Sequence, residues 1–224
     1  MTSVESKLST LYQHRFDDAD LAFKAATWTI LCEQYFARWI RATDTVLDLG
    51  AGSCEFINAI AARRRLAVDL NPDTKRAAAP DVEVHLTRSD DMTGIESDDI
   101  DVVFSSNFFE HLPDPDALMA TLAETRRVLA PGGRLLVMMP NIRYVKERFW
   151  DYVDHRLPLT HDGLTEALEL AGFRVDTVVP RFLPYTVRSK YRAAPAASLR
   201  LYLRVPLLWR VFGAQMFVVA RPAT

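Results

Sequence analysis

The stretch Val46-Leu47-Asp48-Leu49-Gly50-Ala51-Gly52-Ser53-Cys54-Glu55-Phe56 constrains this chain more than any other. An apolar run enters a glycine turn and an amphipathic segment, residues 57–63, leaves it, which predicts a strand, a tight loop and a helix start. Glycines in such a turn let backbone pass close to a ligand, and the unpaired N–H groups of the first helical turn face the same spot. A nucleotide-like ligand fits there. Nineteen residues past Gly50, after the apolar run Leu66-Ala67-Val68, stands Asp69, where an open parallel sheet holds a carboxylate over a ribose.

The turn also excludes ligands. A nicotinamide dinucleotide fingerprint wants a third glycine where the helix packs on the strand, and position 55 is Glu. No glycine-rich loop ending in Lys-Ser/Thr occurs, which removes a P-loop. A pyrophosphate-binding loop is thus disfavoured, and a carboxylate-bearing, phosphate-free ligand is tolerated.

Further along, apolar runs and helical spacings alternate. Residues 21–40 carry Leu21, Ala25, Trp28, Cys32, Tyr35, Phe36 and Trp39 at steps of three and four, predicting a long amphipathic helix that Asp17 or Asp18 could cap. Before it, residues 11–16 are aromatic and basic, and read either as plain packed helix or as an arm over a ligand. Asn71-Pro72-Asp73 signals a turn, followed by a short polar helix or loop up to Pro80. A third strand is expected at 82–86, a polar loop at 87–92 and a fourth strand at 100–104 running into Ser105-Ser106-Asn107. Pro113, Asp114 and Pro115 start a helix over 116–129, which Pro131-Gly132-Gly133 ends before a fifth strand at 135–139. Such alternation predicts an α/β fold, a doubly wound sheet with helices on both faces and ligands at the strands' carboxyl ends.

The series Leu47-Asp48-Leu49-Gly50-Ala51-Gly52, then Val68-Asp69-Leu70, then Phe108-Phe109-Glu110-His111-Leu112, then Leu129-Ala130-Pro131-Gly132-Gly133-Arg134-Leu135 resembles class I S-adenosylmethionine-dependent methyltransferases over about residues 44–180. The resemblance implies a Rossmann-like sheet of seven strands, the last antiparallel and inserted between the fifth and sixth. Residues 173–179 and 215–220 fit the sixth and seventh strands, and 164–171, ended by Gly172, the helix between the fifth and sixth. It implies S-adenosyl-L-methionine as cofactor, with Gly50 and Gly52 beside the methionine part, Asp69 on the ribose hydroxyls and Ser106 or Asn107 near the methionine end. Asp48, Ala51 and Leu70 are then neighbours. Relatives often carry a Gly-Asp-Ala type segment after the third strand; here it is Thr87-Arg88-Ser89, so adenine is assigned to Ser89, Asp90 and the Met92 amide.

Methyl transfer from a sulfonium is an in-line displacement, so the protein must chiefly align the nucleophile and exclude water, with a general base where a hydroxyl or protonated amine attacks. Residues after the fourth and fifth strands have the right address: Asn107, Glu110, His111, Asn141, Tyr144, Asp154, His155 and His161. His111 titrates near neutrality and reads either as a base or as a loop anchor, and Glu110 divides the same way. Residues 141–156 form the expected acceptor wall, with Asp154 orienting, His155 as base and Tyr144, Phe149, Trp150 and Tyr152 flanking the acceptor, though some of these aromatics should pack on the core. His161 is expected in the first turn of a following helix. No metal is expected.

Charge divides the chain: residues 1–140 hold 14 Lys/Arg against 22 Asp/Glu, and residues 141–224 hold 13 against 7. The basic part includes residues 181–213, where Arg181, Arg188, Lys190, Arg192, Arg200, Arg204 and Arg210 mix with Leu199, Leu201, Leu203, Leu207, Leu208, Trp209 and Phe212. A lid, a helix on an anionic membrane surface and a dimer contact all fit, and Pro206 forbids one long helix. Nucleic acid is disfavoured because the acidic half repels phosphates. One domain is expected, with a helical cap at 1–43, a cofactor core at 44–180, an insertion at 181–213 and a last strand and tail at 214–224. Two cysteines, a polar N-terminus and no apolar run of about 18 residues predict a cytoplasmic protein, monomer or homodimer. The expected activity is methylation of an oxygen or nitrogen on a small molecule. The alternatives are methylation of a lipid-linked or glycan intermediate at a membrane, and a non-catalytic nucleotide-binding scaffold.

Overall fold

A parallel strand covered on both faces reads as a near-continuous apolar run, and β1 (Thr45–Leu49) is buried at every position. The computed structural model describes residues 18–185 and 196–223, with side chains described from residues 24 and 197 onward in the two stretches. Beside β1 lie β2 (Arg64–Val68), β3 (Val82–His85), β4 (Ile100–Ser106), β5 (Leu129–Pro140), β6 (Phe173–Val179) and β7 (Gln215–Pro222). They form a seven-stranded sheet in the order β3-β2-β1-β4-β5-β7-β6. β1 to β5 pair in parallel, whereas β7 runs antiparallel to both β5 and β6. The strand order reverses between β1 and β4, and in open α/β sheets ligands bind at the carboxyl ends of the strands where the order reverses.

Eight helices cover the sheet among the described residues: α1 (Asp18–Gln34), α2 (Glu55–Ala59), α3 (Thr74–Ala77), α4 (Pro115–Val128), α5 (Ile142–Val145), α6 (His161–Leu170), α7 (Ala196–Arg204) and α8 (Pro206–Phe212). Side chains alternate across a strand, so Val46 and Leu47 enter opposite cores. Val46 joins Phe36, Phe56, Phe104, Trp209 and Phe217 under α1, α2, α7 and α8. Leu47 and Leu49 join Leu118 and Leu122 of α4 and Leu164 and Leu168 of α6. The first core is aromatic: Phe56 stacks on Phe104 with centroids 3.8 Å apart, and Tyr35 on Phe182 at 4.1 Å. Each such ring, fully buried, contributes roughly 1.5–3 kcal/mol.

The observed elements depart from the expected ones at their ends. The helix expected over 21–40 stops at Gln34 and tightens into a 3-10 turn, Phe36–Arg38, which keeps Phe36 fully buried. α2 is only five residues long, because Ile60 is already extended and Arg64 begins β2, paired with Glu83 and Asp99. β5 starts at Leu129 instead of residue 135. Ile100 faces Leu129 and Val102 faces Arg134, so Pro131-Gly132-Gly133 bulges from the strand instead of separating helix from strand. Gly133 is required there, since a Cβ would stand 2.8 Å from the Ala130 carbonyl oxygen and 3.1 Å from that of Asp101. Pro206 is the first residue of α8 and divides the 181–213 segment as expected. Residues 11–17 and 186–195, and with them the expected arm, Asp17, Arg188, Lys190 and Arg192, lie outside the described residues. No helix among the described residues is long and apolar enough to cross a membrane.

Candidate active site

Hydrogen bonds and a close packing contact build the turn after β1. Gly50 has φ +75° and Gly52 φ +51°, left-handed backbone that glycine adopts without strain. A Cβ on Gly50 would stand 2.4 Å from the ring of Phe108, so the loop after β4 lies directly on the turn. Ser105 Oγ donates to the Leu49 carbonyl at 3.0 Å and ties the two strand ends together. Ala51 is buried beside them. Cys54 also has left-handed backbone, with φ 60°, and both cysteines are free and buried, with thiols pushed up to about 12 by burial.

Asp69 ends β2 and turns its carboxylate into this loop. Oδ2 accepts from the Gly52 N–H at 2.7 Å and Oδ1 from the Asn71 N–H at 2.7 Å. Burial raises its pKa, while the N–H groups of Asn71, Gly52 and Leu70 and the nearby His111 charge pull it back down. Asp48, inside β1, is more confined. Burial holds its carboxyl well above the usual range, the charges of Glu55 and Asp69 add to that, and the Ile57 N–H opposes it. Leu70 is 45% exposed, an apolar side chain beside the open turn.

On the side assigned to adenine the residues are already engaged. Ser89 Oγ lies 2.7 Å from Thr121 Oγ1, and Arg88 grips both oxygens of Asp90, at 2.7 and 2.5 Å. Met92 departs from the expectation: its N–H donates to Glu124 Oε1 at 2.8 Å and its side chain is fully buried, so that amide has no free hydrogen for a ring nitrogen. Glu124 is in turn held by Arg127. At the other end, Asn107 has φ 49° and its Nδ2 donates to Ser106 Oγ at 3.0 Å, so these two candidates form one small polar unit at the β4 terminus.

Just beyond, the chain gathers its titratable groups. Glu110, His111 and His155 each place one donor atom within 4.8 Å of the other two. The rings of His111 and His155 are 4.9 Å apart and nearly perpendicular. Backbone bonds hold the two segments together, with the Arg156 and Leu157 N–H groups both donating to the Glu110 carbonyl at 2.8 and 3.1 Å. His111 Nδ1 is 3.2 Å from the Asp154 carbonyl oxygen and 3.4 Å from its Oδ2. Glu110 is 1% exposed, and burial, reinforced by the Asp154 charge, pushes its carboxyl up to about 8. Phe149 and Tyr152 pack against the His155 ring at 4.7 and 5.0 Å.

The rest of the expected acceptor wall divides. Phe149 is fully buried, Tyr152 half-buried and Trp150 58% exposed. Tyr144 joins a separate group: it stacks on His161, and Arg181 sits 4.8 Å over its ring. Asn141 Nδ2 contacts His161 Nδ1 and the Pro180 carbonyl, both at 3.0 Å, and its Oδ1 caps α5. His161 is the first residue of α6, as expected. Sequence reasoning missed Phe108 and Tyr185. Tyr185 is buried, packs with Phe149 and feels the Glu110 charge, but it follows β6 with no motif around it. Phe108 carried a signal, since it directly follows the Ser-Asn pair at the β4 end.

A family described as a methyltransferase domain matches residues 26–178, more than half of the chain. The chain belongs to this family. No curated protein matches it in sequence. The methyltransferase is similar in fold to an S-adenosylmethionine-dependent methyltransferase from Archaeoglobus fulgidus, with TM-score 0.66, 20% identity and coverage of 95% of this chain and 98% of that one. It is similar to a chain in the complex between the Haloferax volcanii Trm112 methyltransferase activator and a candidate methyltransferase, with TM-score 0.65, 20% identity and coverage of 99% and 96%. A Thermotoga maritima protein described as a possible histamine N-methyltransferase matches with TM-score 0.62, 14% identity and coverage of 88% and 91%.

The cofactor is S-adenosylmethionine. The methyltransferase's turn fits it: two left-handed glycines, a carboxylate held at the β2 end, and an exposed leucine beside them. When bound, the cofactor supplies a methyl group on a positively charged sulfur. The protein's own part is to hold that group, keep water away and place a nucleophile.

Proposed function

We propose that this methyltransferase acts on an oxygen or nitrogen of a small-molecule acceptor docked over the carboxyl ends of β4 and β5. The observation that carries the reading is the position of the Glu110, His111, Asp154 and His155 cluster. It follows β4 directly, the preceding Phe108 lies against Gly50, and the His111 charge is felt by Asp69. In this reading Gly50, Gly52, Asp69 and Leu70 hold the cofactor, with Asp48 and Ala51 behind them, Ser106 and Asn107 at its methionine end, and Ser89 and Asp90 toward adenine. The cluster takes the acceptor's proton, with Asp154 orienting His111 through Nδ1. Tyr144, beside His161 and Arg181, forms a more distant part of the wall. The test is release of S-adenosylhomocysteine with a pool of alcohols, phenols and amines. Turnover that falls at least 100-fold in His155→Ala at unchanged cofactor affinity supports it; no turnover with any member of the pool overturns it.

A second reading, methylation of a lipid-linked or glycan intermediate at a membrane surface, has its own support. α7 and α8 leave Leu201, Leu207, Val211 and Phe212 between 59 and 67% exposed among Arg200, Arg204 and Arg210. Flotation with anionic vesicles tests it, and protein that stays at the bottom of the gradient removes it.

A further inference from the structure

A buried carboxylate has to be compensated by a proton, a hydrogen-bonding partner or a cation. Glu110 is 1% exposed and its Oε2 has no hydrogen-bond partner, while two imidazoles bring nitrogen atoms to within 4.8 Å of its carboxylate. We propose that Glu110, His111 and His155 form a binding site for a divalent transition-metal ion of the Zn2+, Mn2+ or Fe2+ class. Two imidazole nitrogens and one carboxylate oxygen are the donor set that borderline first-row ions prefer, whereas Mg2+ and Ca2+ favour all-oxygen shells.

The surroundings suit this role. A ligating imidazole is usually oriented by a neighbouring polar group, and His111 Nδ1 faces Asp154 at 3.2 and 3.4 Å. The His155 ring is fixed between Phe149 and Tyr152. The Arg156 and Leu157 N–H groups anchor the segment that brings His155 to Glu110. Metal–ligand bonds of about 2.0–2.2 Å would draw the three donors to roughly 3–3.6 Å from one another, a closure of up to about 1–2 Å that side-chain torsions can supply. Three protein ligands leave coordination positions open.

This inference deepens the proposed reading and rests on it for the acceptor's place: it favours a hydroxyl over an amine, because a cation lowers the cost of an ionised oxygen. With an ion bound, the imidazoles are its ligands and the ion replaces them as the group that makes the hydroxyl ionise: the acceptor hydroxyl releases its proton to solvent, the oxygen–carbon bond forms as the carbon–sulfur bond breaks, and the electron pair stays on sulfur. The ion is not consumed.

The test uses the full chain stripped with a chelator and titrated with Zn2+ by calorimetry and with Co2+ by visible absorption, without any acceptor. The expected result is one equivalent bound, with Co2+ bands of nitrogen and oxygen ligation, weakened at least tenfold in Glu110→Gln and in His155→Ala and unchanged in His85→Ala. His111→Asn serves where either of the first two variants does not fold, and retained S-adenosylmethionine affinity identifies folded variants. No stoichiometric binding by the unmodified chain, or binding that these substitutions leave unchanged, overturns the metal site. Metal binding without methylation of any acceptor in the pool overturns the small-molecule reading instead and leaves the site standing.

Discussion

The Gly52 N–H donates to Asp69 Oδ2 at 2.7 Å across the turn that joins β1 to α2. One carboxylate therefore fastens the glycine loop to the β2 end, where the proposed reading puts the cofactor's ribose. Asp69→Ala should weaken S-adenosylmethionine by about 1–3 kcal/mol, roughly five- to 150-fold, the usual loss for a charged hydrogen-bonding partner. Calorimetry on the folded variant checks it, and unchanged affinity would refute the ribose assignment.

Gly50 carries two constraints, a φ of +75° and the Phe108 ring where a Cβ would be. Gly50→Ala should lower stability by about 1–3 kcal/mol from backbone strain alone, with a further loss from the overlap. Phe108→Ala in the same chain should recover the steric part and leave the backbone part. Denaturant titration of the four members of this cycle measures the coupling, and additive losses would show that the ring does not bear on Gly50.

Asp48 gives a pH signature. Its folded pKa lies well above that of an unfolded aspartate, which is about 3.9. The group therefore contributes stability that is complete below pH of about 3.9 and is lost as pH rises through the folded value. Asp48→Asn cannot lose a proton, so the stability of the native chain relative to this variant should fall as pH rises from about 4 toward neutrality. Parallel stability curves would contradict this.

Asp114 caps α4, its Oδ1 accepting from the Ala117 N–H at 2.9 Å, with Pro115 in the first turn. Asp114→Ala should cost about 1 kcal/mol. A shift in the urea midpoint with unchanged slope checks it.

Much of this architecture was legible because the sequence carries it locally. The apolar runs of β1 and β4 and the glycine turn need no long-range information to be recognised, whereas β6 at residues 173–179 and the antiparallel β7 came from the resemblance to class I methyltransferases. Element ends were less legible, since they depend on tertiary register. The start of β5 at Leu129 is set by pairing with Ile100, and α2 ends at Ala59 because Ile60 is already extended and Arg64 enters the sheet opposite Thr45. In the site, His111 and His155 could be named as candidates, but no spacing rule links positions 110 and 155. Their meeting depends on the Glu110 carbonyl accepting from Arg156 and Leu157. The Met92 amide illustrates the opposite failure, because only the fold brings Glu124 to it.

The central claim is that the cofactor's reacting end looks onto the cluster after β4. A crystal structure with S-adenosylhomocysteine bound tests it most directly. The account predicts ribose hydroxyls on Asp69 and the sulfur facing the space bordered by Glu110, His111 and His155; a sulfur directed away from that cluster, with no path from it to an acceptor there, would contradict it.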